Sequence, residues 1–148
     1  MKGPRGCDLK DVLIVLASWR WDDEKSGRTL KSAPREKGSD QKIRVADVGG
    51  YRVGVFAVFR PKANEPKERP GIHNTKVTEI YYILEGGGTL VTGGKIVGDH
   101  IEGGVTRHVG KGDVVLIPGH LPHWWSTLDG DTSYVRLTPD PNSEQQLK

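Results

Sequence analysis

Apolar and polar positions alternate through most of the chain beyond residue 42, in short runs of β-branched and aromatic residues separated by glycine and proline. Residues 78–84, Thr-Glu-Ile-Tyr-Tyr-Ile-Leu, read as a strand. Side chains two apart share a strand face, so Glu79, Tyr81 and Ile83 face one way and Ile80, Tyr82 and Leu84 the other. Residues 51–60 and 89–92 read as further strands, and 42–48 as an edge strand that needs cover. The glycines at 49–50, 86–88, 93–94 and 103–104 read as hairpin turns. None lies between a strand and a helix, so none is a phosphate cradle. Short strands with regular turn signals predict an all-β sandwich or barrel.

At 148 residues the chain is of modal size for one domain. A hydrophobic content of 34% is low, so polar loops or tails are expected to take part of the length. The expected division is an N-terminal arm and loop over 1–41, a barrel over 42–140 and a flexible tail over 141–148. The arm contains an apolar run at 12–17, shorter than the ~7–15-residue core of a signal peptide and far below the ~20 residues that span a bilayer. It reads as a short helix after Asp8 or as a strand. Cys7 is the single cysteine, so no internal disulfide can form. A cytoplasmic location is the default expectation, with a periplasmic or secreted form as the alternative. The net charge of +3 comes from basic residues mixed with acidic ones, without a basic arm or nucleic-acid motif, so neither nucleic acid nor membrane is an expected partner.

Two segments carry candidate chemistry. In Gly71-Ile-His73-Asn-Thr75 and the strand that follows, His73 and Glu79 fall at strand positions. In the run from Gly112 through Pro118 to His123, the Pro118–Gly119 turn feeds a strand whose His123 and Trp125 share a face. His73, Glu79 and His123 are two imidazoles and a carboxylate, the complement of the facial triad used for non-haem Fe(II) and of some catalytic zinc sites. Three protein ligands leave coordination positions open for chemistry. Tyr81, on the ligand-bearing strand, is the best-placed proton donor. His100 and His108 lie in a polar, glycine-rich stretch and are expected at the surface.

These segments resemble the paired motifs of the cupin superfamily. His73, Glu79 and Gly86 match the first motif, with Thr75 where its second histidine is usual. Gly112, Pro118 and His123 match the second, with His120 where a glycine is usual. The resemblance implies a double-stranded β-helix, or jelly-roll barrel, with Thr75, His120 and Trp125 lining the pocket around the metal. A threonine hydroxyl is a poor ligand beside imidazole and carboxylate, so either three protein ligands hold the metal with waters completing the shell, or His120 substitutes, or metal binding is weak. The metal expected is Fe, with Zn, Mn, Cu or Ni as alternatives. The function implied is a metal-dependent enzyme on a small organic molecule, first a mononuclear Fe(II) oxygenase. A Zn or Mn isomerase or lyase, or a non-catalytic cupin binding a small ligand or metal, are the alternatives. A homodimer is the expected assembly.

Overall fold

The computed structural model describes residues 37–62 and 77–142. The helix or strand expected in the N-terminal arm, His73 and Thr75 lie outside the described residues. Ten strands are described, and they form two main antiparallel sheets. β1 (Ser39–Asp47), β2 (Arg52–Arg60), β10 (Thr132–Asp140), β3 (Glu79–Glu85) and β8 (Val114–Ile117) lie side by side in that order. β7 (Val105–Gly110), β4 (Gly87–Thr92) and β9 (His123–Leu128) make the second sheet. β5 (Lys95–Val97) and β6 (His100–Glu102) form a separate hairpin.

The core lies between the two sheets. Phe56, Val58, Tyr81, Ile83, Ile117 and Tyr134 enter it from the larger sheet, and Leu90 and Val109 from the smaller, with Trp125 packed against them. These residues sit at every second position of their strands, the alternation expected when one face is buried. Register turns that alternation into rows. Arg136 pairs with Phe56 on one side and with Tyr81 on the other, and Tyr81 pairs with Val115. Glu79 pairs with Ile117 in the adjoining row.

The first strand starts earlier than the sequence pattern indicates. Ser39, Asp40 and Gln41, assigned there to the arm, pair with Phe59, Val58 and Ala57. Their polar character suits an edge strand, and Asp40 also has a partner inside the barrel.

The glycine clusters correct the hairpin reading. Gly49–Gly50 does close the β1–β2 hairpin, with Asp47 Oδ1 accepting from the Gly49 N–H at 3.2 Å. Residues 86–88 instead carry the chain from the large sheet to the small one. A Cβ on Gly88 would lie 2.1 Å from the Thr127 carbonyl oxygen, and one on Gly86 (φ 73°) 2.3 Å from that of Asp131. Such approaches exclude any side chain, so glycine here marks backbone crossing backbone rather than a tight turn. The clusters at 93–94 and 103–104 flank the β5–β6 hairpin, whose own turn is at Gly98–Asp99.

Candidate functional site

Glu79 opens β3, with Tyr81 two residues on along the same face. His123 opens β9 on the facing sheet. All three are buried. Their polar atoms converge. Tyr81 Oη donates to Glu79 Oε2 at 2.6 Å, Tyr81 Oη lies 3.1 Å from His123 Nε2, and His123 Nε2 lies 3.3 Å from Glu79 Oε2. On the other side of the ring, His123 Nδ1–H donates to the Leu121 carbonyl at 3.1 Å. A carbonyl only accepts, so the network assigns the proton of the neutral ring to Nδ1 and leaves the Nε2 lone pair facing the two oxygens. That is the arrangement a metal-ligating histidine shows, with its second nitrogen fixed on a backbone acceptor.

The proton count identifies what such a site attracts. Tyr81 has one hydroxyl proton, and it serves Glu79. The Nε2 lone pair therefore meets oxygen lone pairs, a juxtaposition that a cation relieves, whether a ring proton or a metal ion. Glu79 Oε1 is buried without a hydrogen-bond partner, its nearest counter-charge being Arg136 Nη1 at 3.6 Å. An imidazole nitrogen and a carboxylate fit a divalent first-row metal. Among the described residues no group of three His, Cys, Asp or Glu side chains comes together. Glu79 and His123 are the ligand-type pair, and His73 lies outside the described residues.

Burial would raise the Glu79 pKa. With a ring proton on Nε2, the His123 hydrogen bond, the Tyr81 hydrogen bond and the Arg136 charge outweigh it and hold the carboxyl at about 2, against an ordinary 4.5. Tyr81 is driven the opposite way, well above 10, by burial first and then by neighbouring Tyr134 and Glu79. The site thus holds a firmly ionised carboxylate beside a firmly protonated phenol.

Two contributors are absent from the sequence reading. Arg136 is buried in β10, its Nη1 2.8 Å from Asp40 Oδ2 and 3.6 Å from Glu79 Oε1, its Cζ 4.5 Å from the centroid of the Phe56 ring. The available signal was period two in β10, where Tyr134, Arg136 and Thr138 share a face and an arginine stands between two buried residues.

The other expected site residues divide. Trp125 packs against the core, its ring centroid 6.0 Å from that of Tyr134. His100 and His108 are exposed. His120 is exposed too, and among the described residues it forms no three-membered ligand group with Glu79 and His123. Its backbone sits at φ 61° in the turn closed by the Leu121 N–H to the Pro118 carbonyl at 3.2 Å. A left-handed backbone suits the glycine usual at this position of the motif. His120→Gly should accordingly raise stability by about 1 kcal/mol, measured by urea unfolding; an unchanged midpoint would show the turn to be unstrained.

No family model matches the chain, and no curated protein matches it. Solved structures do resemble it. The DMSP lyase DddQ from Ruegeria pomeroyi DSS-3 superposes on 74% of this chain and 49% of its own, at 22% identity and a TM-score of 0.52. This chain therefore spans about half the length of that enzyme. An RmlC-like cupin family protein with a double-stranded β-helix fold, from Methanocaldococcus jannaschii, matches over 71% of this chain and 83% of its own, at 12% identity and a TM-score of 0.47. Hydroxypropylphosphonic acid epoxidase from S. wedmorenis matches over 71% and 56%, at 14% identity and 0.47. With its two antiparallel sheets and the strand order above, the chain shares its fold with that lyase. Among the described residues no helix is long and apolar enough to cross a membrane.

Proposed function

We propose that the chain is a divalent-metal enzyme that moves a proton on a small organic substrate, a lyase or isomerase built on the cupin barrel. The observation that carries this is the triangle of Glu79 Oε2, Tyr81 Oη and His123 Nε2, with sides of 2.6, 3.1 and 3.3 Å. His123 and Glu79 would hold the metal, with His73 as the second imidazole. A dication there supplies Lewis acidity toward a substrate carbonyl or carboxyl oxygen. Tyr81 keeps a phenolic proton within hydrogen-bond reach of both groups, the position a general acid requires. Leu121 fixes the ring of His123, and Arg136 fixes the charge of Glu79. Ile83, Leu90 and Tyr134 form a dry wall beside them. That the DMSP lyase DddQ shares the fold accords with this reading.

The second reading is the Fe(II) oxygenase, favoured by the two-imidazole, one-carboxylate set. It gives Tyr81 no obligatory proton to transfer.

Both readings are tested by reconstituting metal-free protein with Fe(II), Mn(II), Cu(II) or Zn(II) and assaying turnover of small carbonyl and carboxyl compounds under air and under argon. Turnover under argon is expected. Strict dependence on dioxygen would replace the lyase or isomerase reading with the oxygenase. In the same assay Tyr81→Phe should keep metal occupancy and lose about 10²–10⁴-fold in turnover, the contribution of a positioned acid. Full activity in that variant would remove Tyr81 from the chemistry.

A further inference from the structure

A cleft of about 270 Å³ opens between β7 and β8, the strands at the ends of the small and large sheets. Its walls are not independent of the site. Val115 is the cross-strand partner of Tyr81, and Thr92 is the cross-strand partner of His123; both line the cleft. Leu90 and Val109, two core side chains, also face it. The cleft thus runs from solvent, past an apolar wall, to the strand neighbours of the two groups on which the chemistry was placed.

Its charged lining is asymmetric. His108 has its Nε2 2.8 Å from Asp129 Oδ2, and Asp113 Oδ2 accepts the Gly110 N–H at 2.8 Å. Arg107 also lines the cleft, is exposed, and makes no hydrogen bond or ion pair with any described residue. It pairs in register with Leu90, whose side chain is in the core, so the two share a sheet face and Arg107 is the exposed member of the pair.

We propose that this cleft binds a small organic anion, a carboxylate with a short aliphatic body, anchored by Arg107. A guanidinium presents a planar fork that matches a carboxylate with two parallel hydrogen bonds. Leu90, Val109 and Val115 bury the aliphatic part, and the volume admits only a small molecule, below the ~300–1,000 Å³ of drug-sized sites. That the far end of the ligand reaches the reacting groups rests on the metal-enzyme reading above; the anion site does not depend on it.

The test is an NMR titration with butyrate and with its neutral isostere butyramide, following backbone amides of β7 and β8. It is run on chelator-treated and on Zn(II)-supplemented protein. Butyrate should bind about tenfold or more tightly than butyramide, as one charge-assisted pair provides. Arg107→Gln should erase that preference, and Arg107→Lys should keep part of it through its point charge. Val114→Glu, at a cleft position 66% exposed, should weaken butyrate and spare butyramide. Equal affinity of the two probes for the unmodified protein, or a preference that survives Arg107→Gln, would overturn the proposal. Metal content is measured on the same samples. A chain that takes up no metal would overturn the metal-centre reading and leave the chelator-treated titration to decide the cleft.

Discussion

Glu79→Gln is expected to lower metal affinity by more than ~100-fold and to abolish turnover with it. The substitution keeps shape and burial and removes the one anionic ligand-type group at the site. A neutral amide oxygen is a weak donor to a dication, and the group loses the charge that now faces Arg136 through Oε1. Folding should persist, because Tyr81 can still donate to the amide oxygen and Arg136 keeps Asp40. Competition against a chromogenic chelator reads the affinity, and circular dichroism verifies the fold. Metal affinity equal to that of the unmodified chain would show that Glu79 is a structural partner of Arg136 and no ligand.

Removing Arg136 should have the largest effect on stability. Arg136→Met takes one cation from between Asp40 and the fully buried Glu79. Deleting one member of a buried ionic network leaves the other uncompensated, at a cost of about 3–5 kcal/mol at neutral pH. The sign with pH follows from the carboxyl. Its folded pKa, about 2, lies below the ordinary 4.5, so its ionisation contributes stability that is fully present above the ordinary value and is lost as pH falls from there through about 2. Without Arg136 the folded value moves upward and that acid-side loss shrinks. Denaturant unfolding at neutral and at strongly acidic pH should show a penalty that is large in the first and smaller in the second. A penalty independent of pH would assign the loss to packing against Phe56 alone.

The β3 reading rests on a strict period of two, which is why the inward phase of Glu79, Tyr81 and Ile83 is legible without coordinates: one buried face permits a single register. His123 and Trp125 follow from the same rule after Pro118. The glycines were harder. Gly86 and Gly112 take positive φ, as turn glycines do, yet 86–88 prove to be a crossing between sheets. A sequence shows that a side chain is absent and does not show which backbone occupies its place. Spacing from His123 likewise carries no information about the handedness of the turn at His120.

The sequence by itself determined the all-β class, the strand phases and the residue types available for a metal. Those depend on alternation and on side-chain chemistry, which are local properties. Only the tertiary structure decided that Arg136 from β10 and Asp40 from β1 complete the electrostatics of Glu79. It alone brought Tyr81 between Glu79 and His123, which lie on facing sheets, and set a cleft against their strand partners. Those relations join residues far apart in the chain, and pairing at that range is fixed by sheet register and by burial of a shared core, neither of which any short window of sequence contains.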